Sequence, residues 1–76
     1  MKLIKCGANY INPSHIESIG ITGGESIQFQ IVIWTPSGDE NTCYVWARTK
    51  DREHAAEMLD TLAGVIDAAL NWTGLA

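Results

Sequence analysis

Between Ile27 and Thr35 the chain reads Ile-Gln-Phe-Gln-Ile-Val-Ile-Trp-Thr, with Ile27, Phe29, Ile31 and Ile33 spaced two apart. That period is the signature of a β-strand with one face in a core. A helix would scatter those four side chains around its circumference, because its period is 3.6. One strand of this length cannot stand alone, so its neighbours must supply the rest of a sheet.

They do. Residues 2–6 read as a short first strand, ended by the turn signal Gly7-Ala8-Asn9. Tyr10-Ile11 resumes an extended segment, and Asn12-Pro13-Ser14-His15 reads as one helical turn with Asn as cap and Pro at its first position. That turn should swing Ile16 into the core. Residues 16–22, with Ile16, Ile19 and Ile21, read as the second strand, and Gly23-Gly24-Glu25-Ser26 as a hairpin connection into the strand over 26–35. Residues 35–41 are a turn by composition, and residues 42–48, rich in β-branched and aromatic side chains, a fourth strand.

From there the period changes. Ala55, Leu59, Leu62, Ile66, Ala69 and Leu70 recur at three- and four-residue steps, flanked by Met58 and Val65. Glu53, Glu57, Asp60, Gly64, Asp67 and Asn71 take the opposite side. This is an amphipathic helix over 50–71, with Thr49 or Asp51 as N-cap and Gly74 as its stop. The expected fold is therefore α+β: a four-stranded antiparallel β-meander with one C-terminal amphipathic helix packed on one face.

A chain of 76 residues makes one domain, and chains of this size bury only about 60% of the surface they expose when unfolded. Small domains lean on disulfides, metals or oligomerisation. Cys6 and Cys43 are the only cysteines. No secretory leader is read before them, since Lys2 and Lys5 interrupt the first apolar residues. The expected setting is cytoplasmic, with both thiols reduced and in the core. Cys6, His15, Cys43 and His54 share no chelating spacing, so no metal or cofactor is expected. Oligomerisation is the option left. No stretch of 18 apolar residues points to a membrane.

Five Lys/Arg against nine Asp/Glu give a net charge of −4. Asp51 and Glu53 interleave with Lys50 and Arg52, which cancels the one basic run and argues against nucleic acid as a partner. Catalytic groupings are equally thin. Ser14, His15 and Glu17 hold the atoms of a nucleophile and base, but as neighbours around a turn they read as a solvated loop. No catalytic residue is assigned, and the chain is not expected to be an enzyme.

The informative region is the sheet face away from the helix. If Phe29, Ile31 and Ile33 face the helix, Gln30, Val32 and Trp34 face away. The small residues Cys43, Val45 and Ala47 suit packing under a helix, which would place Tyr44, Trp46 and Arg48 outside. The candidate interface residues are thus Gln30, Val32, Trp34, Tyr44, Trp46 and Arg48. Such a patch serves a homo-oligomer or another protein. The alternative reading is that its rings and Arg48 hold a small nucleotide-type ligand. A one-residue slip between the third and fourth strands would turn Trp46 under the helix.

Tyr10-Ile11-Asn12-Pro13-Ser14-His15-Ile16-Glu17-Ser18-Ile19 resembles the Y-I-N-P-x-x-I-x-x-I start of small bacterial and phage proteins. Over residues 2–62 the order of elements is also similar to short flagellar and swarming accessory proteins. The longer third strand, the tryptophans and the alanine-rich helix depart from that type. The resemblance implies the meander-plus-helix fold and a bacterial or phage origin, and carries over no functional residue. By size and charge alone the chain looks like phage inhibitors of host defence. The expectation is a non-enzymatic, homo-oligomeric interaction module acting as an accessory or inhibitory protein.

Overall fold

The structure is a computed structural model describing residues 1–24, 26–37 and 40–73. In chain order it has β1 (Ile4–Cys6), β2 (Asn9–Ile11), a 3-10 turn (Pro13–His15), β3 (Ser18–Gly23), β4 (Phe29–Ser37), β5 (Glu40–Thr49) and α1 (Arg52–Leu70). The class is α+β, as expected. However, the strands form two antiparallel sheets, β1-β2 and β3-β4-β5, rather than one four-stranded meander.

The first correction comes from Gly7. Its φ of 63° begins a two-residue turn between the paired Cys6 and Asn9, the pattern of a II′ hairpin. The extended segment at Tyr10-Ile11 is therefore a strand paired back onto β1, with Ile4 opposite Ile11. Ile4, Cys6 and Ile11 point inward and are buried, while Lys5 and Tyr10 point out.

The 3-10 turn is as the sequence suggests. Asn12 Oδ1 accepts from the Ser14 amide at 2.9 Å and from the Ser14 hydroxyl at 2.7 Å. Pro13 is buried at its start, and Ile16 packs against the core. The β3–β4 connection runs longer than expected. Gly23 has φ 87°, and a Cβ there would lie 2.0 Å from the Gln28 carbonyl oxygen. Ile27 falls in this connection at 68% exposure and is not a core residue. Glu25 of the expected hairpin connection lies outside the described residues, as does the Gly38-Asp39 pair between β4 and β5. Pro36 sits within β4 beyond the last β3 pairing, Ser18 opposite Trp34. Among the described residues no β3 residue pairs with it there, so the missing N–H costs no ladder bond on that side.

α1 is capped by Asp51, whose carboxylate accepts from the Glu53 amide at 3.0 Å. Thr49 Oγ1 accepts in turn from the Asp51 amide at 3.2 Å. Ala55, Leu62 and Ala69, seven residues apart, are the buried centre of its stripe, with Met58, Leu59, Val65 and Ile66 half-buried beside them. Leu70, expected in the stripe, is 45% exposed. The core cluster joins Cys6, Ile11, Phe29, Ile31, Ile33, Ala55 and Leu62. Helix and hairpin thus close on one face of the three-stranded sheet.

Candidate functional site

The β4–β5 pairing decides where the candidate residues go. Phe29, Gln30 and Ile31 lie opposite Thr49, Arg48 and Ala47, but Val32 lies opposite Val45. Trp46 is the extra residue of a β-bulge, and beyond it the faces of β5 exchange. Tyr44, opposite Ile33, and Trp46 both pack against the core cluster, while Cys43 is exposed on the other face. The expected grouping is therefore corrected on both sides. Tyr44 and Trp46 turn toward the helix, and Cys43 and Val45 turn away from it. The physical reason is area. An aromatic side chain carries about 150–250 Å², so half-burying one gains roughly 2–3 kcal/mol at about 25 cal/mol per Å². That exceeds the ~1 kcal/mol of a lost ladder hydrogen bond.

Of the six sequence candidates, Gln30, Val32, Trp34 and Arg48 share the uncovered face with Ser18, Gly20, Thr22, Cys43 and Val45. This face is less apolar than expected. Val32 is only 1% exposed although no second layer covers it among the described residues. Ring atoms of Trp34 lie 3.0 and 3.4 Å from where a Gly20 Cβ would sit, and Gly20 pairs with Val32. The indole lies across the glycine, next to the valine that pairs with it. Apart from Arg48, the side chains on this face are uncharged.

Exposed apolar groups gather elsewhere. The N-terminal segment is laid on the end of α1, with the Lys2 amide donating to the Ala69 carbonyl at 2.9 Å and Met1 N to the Trp72 carbonyl. Ala69 carries one of the last four carbonyls of α1, which have no partner further along the helix, and Trp72 lies just past its end. The Cys6 thiol donates to the Val45 carbonyl at 3.1 Å and ties β1 to β5. Between these two anchors lies a cleft of about 450 Å³, lined by Lys2, Leu3, Tyr10, Trp46, Val65, Ala68 and Trp72 among others. Half-buried Trp46 packs against the core beneath it. Leu3, Tyr10 and Trp72 are 50%, 65% and 45% exposed, and Lys5 also lines it. The Lys2 ammonium sits 5.1 Å from the Trp72 ring centroid. A smaller hollow of about 270 Å³ shares Leu3 and Tyr10 and is completed by Asn12, His15 and Tyr44.

This cleft was not visible in the sequence. Tyr10 and Trp72 stand at opposite ends of the chain, and only the docking of β1 on the helix end brings them together. Trp72, an indole just past the last helical residue, is the one sequence feature that could have indicated it.

Both histidines are exposed, and His54 Nδ1 lies 3.3 Å from the Thr49 hydroxyl. Burial, with a smaller contribution from the nearby Cys43, pushes the Cys6 thiol above its ordinary range, so its thiolate is disfavoured. Among the described residues no three His, Cys, Asp or Glu side chains are placed to hold a metal, and no helix is long and apolar enough to cross a membrane. No protein-family model, curated protein or solved structure matches this chain.

Proposed function

We propose that the protein is a non-enzymatic protein-interaction module whose cleft receives an apolar side chain of a partner protein, flanked by an acidic group. The observation that carries this is the cleft's composition. Leu3, Tyr10 and Trp72 stand exposed around Trp46, with Lys2 and Lys5 beside them, in a chain of net charge −4. The described acids of α1 and its cap, Asp51, Glu53, Glu57, Asp60 and Asp67, are all exposed and none lines the cleft. Aromatic anchors with a basic rim are the pattern of a binding hot spot. A volume of about 450 Å³ also suits a small aromatic anion, which is the second reading. The Arg48-based nucleotide site is not proposed, since Arg48 lies on the sheet face opposite Tyr44.

The test is selection from a random peptide library followed by NMR of the three indole N–H signals. Peptides pairing an aromatic or branched aliphatic residue with Asp or Glu should be enriched. They should shift the Trp46 and Trp72 signals and leave Trp34 unmoved. Trp72→Ala should weaken their binding by ~30-fold or more, the scale of an interface hot spot. Shifts confined to Trp34 would discard the reading, and binding of free indole-3-acetate with no peptide selected would favour the small-ligand alternative.

A further inference from the structure

β3 is an outer strand of its sheet, so the main-chain groups on its far side face no other strand among the described residues. An open edge is a template for another strand, and soluble proteins blunt it with charge, proline, a bulge or a covering element. The opposite edge, β5, is treated in this way. It carries the Trp46 bulge, and β1 lies against it through the bond from Cys6 to Val45. Among the described residues β3 carries no charge, proline or bulge, and α1 packs on its face. The strand reads Ser18-Ile19-Gly20-Ile21-Thr22-Gly23 and pairs with β4 along all six residues with no register shift.

The same strand is self-complementary about Gly20. A two-fold axis through Gly20 sets Ile19 against Ile21 of a second copy and Ile21 against its Ile19. It sets Ser18 against Thr22, and Glu17 against Gly23, so no carboxylate meets another. An isologous contact demands this reciprocity. An axis through Ile19 would instead face Glu17 with Ile21. Burial points the same way. Ile21 lies on the helix side of the sheet opposite Ile31, yet remains 39% exposed at the edge. Gly20 presents no side chain on the other side, where the Trp34 ring already occupies the space of its Cβ.

We infer that two copies of this chain join antiparallel along β3, centred on Gly20, making one continuous six-stranded sheet from the two three-stranded ones. Antiparallel pairing by a two-fold perpendicular to the sheet keeps both helices on the same side. The isoleucines of the two strands then form a shared ribbon at the helix-side seam. This contact is separate from the cleft and does not depend on it.

Sedimentation equilibrium at roughly 200 µM, a concentration at which even modest interfaces populate, should give twice the 8.3 kDa of one chain. Ile21→Lys puts a charge into the seam and should raise the dimer Kd by ~100-fold or more while preserving the far-UV spectrum. Cys43→Lys on the uncovered face should leave the dimer intact, as should Trp72→Ala at the cleft. A wild-type chain that stays monomeric, a dimer that survives Ile21→Lys, or one that Cys43→Lys dissociates would each overturn the inference. Should Ile21→Lys unfold the chain, hydrogen exchange on the wild-type decides. Between ~5 and ~500 µM, protection should rise along β3 and stay constant along β5, and a flat response along β3 rejects the pairing.

Discussion

β4 buries side chains on both its faces, but by different means. On the helix side Ile31 and Ile33 reach 0% exposure beneath α1, whose Ala55 and Leu62 are equally buried. On the other side Val32 reaches 1% with no second layer among the described residues, opposite Val45 and next to the Gly20 on which the Trp34 ring lies. One face is sealed by an element and the other, among the described residues, by neighbouring side chains of the sheet itself. A small domain can thus cover part of an outer sheet face from within the sheet, provided a glycine makes room for the ring. The uncovered face is therefore a poorer adhesive surface than its composition suggests, and the exposed apolar groups that matter lie at the cleft and at the β3 edge.

The largest test of this contrast is Leu62→Ala. A fully buried leucine between helix and sheet leaves a cavity that its rigid neighbours cannot fill, and urea denaturation should show a loss of about 3–4 kcal/mol. For a domain of this size that is a large share of the total stability. A loss below about 1 kcal/mol would mean that the helix can settle onto the sheet and that the two faces are sealed less differently than their packing implies.

How much of this could be read beforehand follows from the same contrast. Local patterns carried well. The alternation of Phe29, Ile31 and Ile33 gave β4 its core face, and the spacing of Ala55, Leu62 and Ala69 gave α1 its buried stripe. Asp51 and Asn12 were legible as caps because capping involves only residues two positions away. What failed depended on partners. The exchange of faces at Trp46 is a property of the β4–β5 pair and not of β5 alone, where Cys43-Val45-Ala47 and Tyr44-Trp46-Arg48 alternate without interruption. The sequence presents the choice between burying small and burying large side chains, but only the paired strands show that a bulge can bury both aromatics. Ile27 illustrates the same limit, since the period of β4 runs through it while the turn at Gly23 removes it from the strand. The cleft was the least legible of all, being assembled from both ends of the chain.

Trp34→Ala tests the other face and should cost less than Leu62→Ala. The indole is only half-buried, so its removal should lower the urea-derived stability by roughly 1–2 kcal/mol through lost contact and the uncovering of Val32. Helix content should be unchanged. A loss as large as that of Leu62→Ala would make the two faces equivalent. A change within about 0.5 kcal/mol, typical of an exposed site, would show that Val32 is sealed by something other than the ring.

The two cysteines give the smallest and most specific comparison, because one belongs to each environment. Cys6 is buried against β5 on the helix side and Cys43 is exposed on the outer face. A thiol reagent should therefore label Cys43 promptly and Cys6 only as the fold opens. The raised pKa of Cys6, caused first by burial and then by Cys43, also fixes the sign of a pH effect. Below the ordinary thiol range both folded and unfolded chains hold the proton, and Cys6 contributes no pH dependence. As pH rises through that range the unfolded chain releases its proton while the folded chain keeps it. The unfolded state then binds fewer protons, so stability falls with pH until the folded thiol ionises as well. Urea denaturation from neutral to strongly alkaline pH should show this decline in the wild-type chain and a shallower one in Cys6→Ala, compared by slope and not by absolute stability. Equal slopes would mean that the Cys6 thiol is as free to ionise in the folded chain as in the unfolded one, and that its burial against β5 does not hinder the thiolate.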